Sequence, residues 1–178
     1  MEKEEVPMKK LILLAAAAAL AGGAYTAQAA PVTYVPAMGG NVGYSYNGSA
    51  DGIHNIYAEF SPIDRLVIGA EYRDWINRDN ETDIYAKYRL GHMYLGLGSR
   101  DYNDRGSKVF GLVEGMTNVA DRLDAYAGLK VSSEEYEAKV GVLYDLMPSV
   151  DIDVNYTYYD RDHTSNEDGV GVGINYRF

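Results

Sequence analysis

The chain has 178 residues, 19 glycines, 17 tyrosines, no cysteine and a formal charge of −10, with a mean hydropathy of −0.28. The charge repels phosphate backbones and so excludes a nucleic-acid partner. A polytopic helical membrane protein is excluded too, because one apolar run alone approaches the roughly 20 residues of a spanning helix, and it lies at the N-terminus. Collagen, coiled coil and disulfide scaffold fail on composition.

The N-terminal run is an address. Met8-Lys9-Lys10 leads into an apolar stretch over residues 11–21, then a small-residue exit and Ala27-Gln28-Ala29. Charged, apolar and cleavage regions in that order make a bacterial secretory signal, and the apolar part is too short to span a membrane. Cleavage is expected after Ala29, so that residues 1–29 are a signal peptide and residues 30–178 a single domain. Acidic residues precede the lysines in MEKEEVP; Lys3-Glu4-Glu5 can be encoded by a purine-rich run resembling a ribosome-binding site, which would make residues 1–7 a mis-assigned start. Leader removal takes away three lysines and three glutamates and leaves the charge at −10.

Turn chemistry then recurs at Ser61-Pro62-Ile63-Asp64, Gly91-His92, Asn118-Val119-Ala120-Asp121 and Asp145-Leu146-Met147-Pro148, with centres near 63, 91, 119 and 147. Polar clusters fall midway between them, as at Asn77-Arg78-Asp79-Asn80-Glu81. The segments left between are about 9 to 11 residues, the length of a tilted membrane-spanning strand. Five hairpins of this kind give ten strands, with eight as the alternative count.

Within the segments, apolar residues alternate with polar ones, as successive side chains of a strand do. In chain order one face carries Met38, Val42, Tyr44 and Tyr46; Ile56, Ala58 and Phe60; Leu66, Ile68, Ala70 and Tyr72; Ile84, Ala86, Tyr88 and Leu90; then Met93, Leu95 and Leu97. It continues with Leu123, Ala125, Ala127, Leu129 and Val131; Tyr136, Ala138, Val140, Val142 and Tyr144; Val150, Ile152, Val154, Tyr156 and Tyr158; and Val170, Val172, Ile174, Tyr176 and Phe178. Residues 109–116 do not alternate cleanly, which is the signature of a bulge or a wrong register. The opposite face carries seven acids, Glu59, Glu71, Glu114, Asp124, Glu137, Asp151 and Asp153, against seven bases, Arg73, Lys87, Arg89, Arg100, Lys130, Lys139 and Arg177. Eight glycines share that face and leave room for long side chains.

Such alternation fits a soluble barrel with its apolar face inward or a membrane barrel with that face outward. Outward aromatics gather near both strand ends, as membrane-interface girdles do. An even strand number also leaves both termini at one end, as closure of the first strand on the last requires. The final residues, Gly171-Val172-Gly173-Ile174-Asn175-Tyr176-Arg177-Phe178, resemble the C-terminal signal of bacterial outer-membrane proteins, with Gly173, Tyr176 and Phe178 at the matching positions. The Tyr-Arg-Phe ending is similar to that of small barrels of the OmpA and OmpX kind, without any peptidoglycan-binding domain. The resemblance implies a transmembrane antiparallel up-and-down β-barrel in the outer membrane, read by the barrel-assembly machinery.

Nothing in the sequence pairs a nucleophile with a base, so no enzyme activity and no cofactor are expected. His54, His92 and His163 are too scattered for a metal centre. Asp79, Glu81, Asp101, Asp104, Glu134, Glu135, Asp160, Asp162, Glu167 and Asp168, with Asp83, would crowd an extracellular rim. There, divalent cations could bridge them to the phosphates of lipopolysaccharide. Three functions follow as expectations: a charge-paired, plugged barrel with a structural or surface-interaction role; a narrow cation-preferring channel of porin type; and a soluble periplasmic carrier of a small apolar ligand.

Overall fold

A computed structural model describes residues 32–48, 52–76, 80–103, 106–161 and 166–178. The expected leader, its cleavage site and the alternative start at Met8 lie outside the described residues. Ten strands follow one another: β1 (Gly40–Asn47), β2 (Ile53–Ile63), β3 (Leu66–Trp75), β4 (Glu81–Leu90), β5 (Met93–Tyr102), β6 (Gly106–Ala120), β7 (Leu123–Ser132), β8 (Glu135–Met147), β9 (Val150–Arg161) and β10 (Glu167–Arg177). Each pairs antiparallel with its sequence neighbours, and β1 closes on β10. The result is an all-β, up-and-down barrel of ten strands. Closure leaves no open sheet edge, so every strand has a partner on both sides.

One end of the barrel has two-residue turns at 64–65, 91–92, 121–122 and 148–149. Arg65, Gly91 and Arg122 take the positive φ that such tight turns demand, at 71°, 67° and 61°. The turns are not evenly spaced as the sequence pattern suggested. Register shifts at Phe60/Ile63, Asn118/Ala120 and Asp145/Met147 place a bulge just before three of them, and β6 runs on to Ala120. Side chains stand in for the interrupted ladders: Ser61 Oγ donates to the carbonyls of Ile63 and Leu66, and Asn118 Nδ2 donates to that of Ala120 at 3.0 Å.

Alternation of the strands fixes which side chains point where. Ile84, Leu97, Val140, Val154, Val170 and Ile174 stand on the outer wall and are exposed, while Glu71, Lys87, Asp153 and Asn175 point inward and are buried. Residues 109–116 prove to be regular strand: β6 stays in register with β5 from Tyr102↔Gly106 to Met93↔Gly115. The alternation fails there because Phe110 and Leu112 face inward, where they form a small apolar cluster with Tyr85. Apolar content, not a bulge, obscured the pattern.

Within the lumen, small and large residues on adjacent strands are matched. Across the ladders, Gly43 faces Tyr57, Gly69 faces Tyr85, Gly98 faces Phe110 and Gly141 faces Tyr126. Each ring lies over the bare backbone of its partner, where a Cβ would collide with it. Glycine is required by close approach here, and the large inward rings compensate for the glycines' missing side chains.

Candidate functional site: the filled lumen

Three tiers fill the barrel. Toward the long-loop end, five acids (Glu71, Glu81, Asp83, Glu135, Glu137) and four bases (Arg73, Arg100, Lys130, Arg161) form one buried cluster. Arg100 grips Asp83 with two contacts of 2.7 Å, meets Glu137 at 3.0 Å and also pairs with Glu135. Arg73 lies 2.9 Å from Glu137 and 3.1 Å from Glu71. Lys130 bridges Glu71 and Asp83 at 2.5 and 2.7 Å, and Arg161 joins Glu81 to Glu135. Charges can be removed from water only when mutual pairing offsets the desolvation, and the planar guanidinium forks make that pairing bidentate. Aromatic faces cover the cluster: Arg161 sits 4.3 Å from the centre of the Trp75 ring, and Lys130 5.3 Å from that of Phe110.

At mid-depth, Lys87 Nζ lies 2.5 Å from Glu59 and 2.9 Å from Glu114. Glu59 also accepts from Tyr85 Oη at 2.8 Å and from Asn41 Nδ2 at 3.3 Å. Across the lumen, Asp153 accepts from Tyr126 Oη and Asn155 Nδ2, both at 2.6 Å.

At the short-turn end, the segment before β1 folds back into the mouth. Val32 and Val35 pack with Val67, Tyr94, Tyr126 and Leu143, and Met116 leans on that cluster. Tyr94 Oη donates to the Thr33 carbonyl at 3.3 Å, and Thr33 Oγ1 accepts from Asn41 Nδ2. A turn from Pro36 to Gly39, closed by Gly39 N–H on the Pro36 carbonyl at 2.9 Å, returns the chain to β1.

Of the fourteen charges expected in the lumen, Glu59, Glu71, Arg73, Lys87, Arg100, Glu114, Lys130, Glu137, Lys139, Asp151 and Asp153 are buried there. The other three stand at the short-turn end and are partly exposed. Arg89 bonds the turn residue Asp64 at 2.8 Å and stacks on Tyr34. Asp124 accepts from Asn118 at 3.0 Å, and Arg177 spans Asp145 and Asp151.

The rim set divides. Asp101 and Asp168 are exposed, Glu134 and Asp160 half-buried, and Asp79, Asp104 and Asp162 lie outside the described residues. Glu81, Asp83, Glu135 and Glu167 lie at the loop-side ends of their strands but point inward and are buried. The strands begin at these residues, so inside/outside alternation governs them, and each shares the parity of an inward neighbour. Their inclusion corrects the neutral lumen expected from the sequence. Among the described residues, ten acids are buried against six bases.

Sequence reasoning also passed over Arg161, the inward aromatics and the segment at 32–35. Parity alone would have found the aromatics, since Tyr57 lies between outward Ile56 and Ala58. Phe178 stacks on Tyr176 with ring centres 6.3 Å apart, and its backbone pairs with Gly40. Gly173 faces Ser45. His54 hydrogen-bonds Tyr44 on the outer wall, His92 is exposed in a short turn, and His163 lies outside the described residues.

No protein-family model matches the chain, and no curated protein matches it in sequence. Among solved structures, the NanC porin is similar with a TM-score of 0.52 and 9% identity, over 77% of this chain and 98% of that one. The N-terminal β-barrel domain of Pseudomonas aeruginosa OprF gives 0.45 and 10%, over 80% and 98%. A de novo designed transmembrane β-barrel gives 0.42 and 15%, over 83% and 100%. The structural neighbours are outer-membrane and transmembrane barrels, and what this chain shares with the NanC porin is the fold.

Proposed function

We propose that the protein is an integral outer-membrane barrel with a filled lumen, serving a structural or surface-interaction role and catalysing nothing. The observation that carries this reading is the packing of buried charge pairs into the lumen toward one end and of residues 32–35 with their apolar neighbours at the other. The membrane placement is supported by the outer wall, where Ile84, Leu97 and Val170 are each more than 60% exposed. Water does not favour a continuous belt of such side chains, whereas hydrocarbon does. Outward rings flank the belt, with Tyr88, Tyr144, Tyr176 and Phe178 toward the short turns and Tyr44, Tyr46, Tyr72 and Tyr156 toward the loops. A soluble carrier would need the reverse arrangement, with an apolar cavity inside.

In this placement the short turns and both termini face the periplasm. Gly173, Tyr176 and Phe178 serve as the assembly signal. Asp74, Asp101, Asp160 and Asp168 meet the lipopolysaccharide headgroups. Among the described residues no group of carboxylates and histidines is disposed to hold a metal by itself. Divalent cations would therefore be shared between these carboxylates and lipid phosphates.

The excess of buried acids over bases favours a second reading, a narrow cation-preferring channel. Planar-bilayer recording of the purified protein decides between them. The filled-lumen reading predicts no unitary conductance; stable, cation-selective steps would replace it with the channel.

A further inference from the structure

The outer wall is not the same all the way round. Amphipathic rings mark where a barrel meets the two membrane interfaces. Seven of the ten strands present at least one ring outward, from Tyr44 on β1 and Tyr88 on β4 to Tyr144 on β8 and Tyr176 on β10. The other three, β5, β6 and β7, are consecutive. They do not lack rings: they carry Tyr94, Tyr102, Phe110 and Tyr126, and all four are buried in the lumen. Both girdles are therefore interrupted over one continuous sector.

The same sector is concave. A groove of about 710 Å³ runs over it and onto the adjoining β4, between Ala86, Leu95, Gly111, Val113 and Leu129. Gly111 shares the outward parity of Val109 and Val113, and a Cβ built on it would meet nothing within 4 Å. Its direct cross-strand partners are Leu97 and Val131, which are 68% and 46% exposed. A protruding side chain and a hole thus stand beside each other on neighbouring strands. A two-fold interface between identical chains needs that arrangement, since one patch must supply both halves of the fit.

Lipid chains could enter such a groove, but lipid would leave a membrane interface at either end, where rings are favoured. A protein surface running the height of the wall removes both interfaces at once. Every outward position from Leu95 to Leu97, Val109 to Gly115 and Ala125 to Val131 is apolar, so contact there desolvates no charge. Four strands about 4.8 Å apart, under an apolar band about 25 Å tall, offer each copy roughly 500 Å² before side-chain relief is counted. Two copies then bury about 1,000 Å², which meets the requirement of a specific interface.

We propose that the β5–β7 wall is where two copies of this chain meet, side by side in the membrane about a two-fold axis along its normal, with Leu97 of each copy set against the Gly111 groove of the other. The dimer goes beyond the filled-lumen reading and rests on the membrane placement of the outer wall.

Single cysteines test it in outer membranes, because the chain has none of its own. Val109→Cys lies next to Gly111 among the outward positions of β6, and Val172→Cys lies on β10, on the far side of the barrel. A short membrane-permeable bismaleimide should convert the Val109→Cys protein to covalent dimer and leave the Val172→Cys protein monomeric. Equal cross-linking at the two sites, or none at Val109→Cys, overturns the proposal. Recovery of the protein in the soluble fraction removes the membrane placement and this inference together, whereas a monomer in the membrane removes the inference alone.

Sedimentation equilibrium in density-matched micelles gives a second reading. Gly111→Phe fills the groove and should raise the dimer dissociation constant at least about tenfold, as overpacking a close-fitting surface does. Val172→Phe should leave it unchanged. Both variants should keep the heat-modified gel shift of a closed barrel, because neither side chain faces the lumen; the cross-linking decides alone should Gly111→Phe fail to close. An unsubstituted chain that sediments as a monomer, or a dimer indifferent to Gly111→Phe, overturns the proposal.

Discussion

Arg100→Ala is the sharpest perturbation of the loop-end cluster. Arg100 is 3% exposed, and its guanidinium closely pairs with three carboxylates and lies 3.8 Å from a fourth, Glu81. Its loss does not strip any of them completely: Asp83 keeps Lys130 at 2.7 Å, Glu137 keeps Arg73 at 2.9 Å and Glu135 keeps Arg161 at 3.0 Å. What remains is five carboxylates around three cations, away from water. Breaking a buried pair by removing one partner costs about 3–5 kcal/mol. Arg89→Ala is the control, because its partner Asp64 is 62% exposed and such pairs contribute about 1 kcal/mol or less. Equilibrium urea unfolding in micelles reads both, through the fluorescence of the single tryptophan, Trp75, which is buried against Arg161 and Tyr159. Destabilisation by Arg100→Ala no larger than that by Arg89→Ala would refute the buried cluster.

Three further outcomes follow from the packing. Gly69→Ala drives a methyl group into the Tyr85 ring, which Glu59 holds in place, and should cost roughly 1–3 kcal/mol in the same unfolding assay; Gly111→Ala meets nothing within 4 Å and should change stability by about 0.5 kcal/mol or less. Deleting residues 30–35 removes Val32 and Val35 from the short-turn cluster and should destabilise by roughly 1–3 kcal/mol once the segment's ordering entropy is allowed for; because the loop-end cluster stays intact, bilayer conductance should remain absent. Phe178→Ala should reduce the heat-modifiable barrel recovered from outer membranes while leaving refolding of the purified chain in micelles close to normal, and equal impairment of both would mean the ring acts in stability and not in assembly.

The sequence made most of the fold legible because a two-residue period is hard to imitate when one face meets charge and the other hydrocarbon. Val150 to Tyr156 and Val170 to Phe178 are unambiguous for that reason, whereas Tyr158, expected outward, is buried beside Thr157 and Tyr159. Legibility failed where the two faces share a chemistry. Phe110 and Leu112 are apolar side chains on the inward face, covering charged groups, so β6 shows no contrast. It failed again at strand ends, where polar residues are expected whichever way they point: Glu81, Asp83, Glu135 and Glu167 look like loop acids until the ladders show the strands starting there. The segment at 32–35 has no periodicity of its own. Its place is decided by the space that Val67, Tyr94 and Leu143 leave at the short-turn mouth, which is a property of the closed barrel. Arg89, legible as inward by parity, instead bends to a turn carboxylate that no alternation rule describes.

The central claim is that the apolar wall faces lipid and the charged wall faces inward. Nitroxide labels at single cysteines replacing Ile84, Leu97 and Val170 test it directly, since the chain has no native cysteine and all three side chains stand free on the outer wall. In reconstituted vesicles, collision with oxygen, which concentrates in hydrocarbon, should exceed collision with a water-soluble nickel chelate at all three sites. Dominant nickel collisions at these positions would place the apolar wall in water and contradict the account.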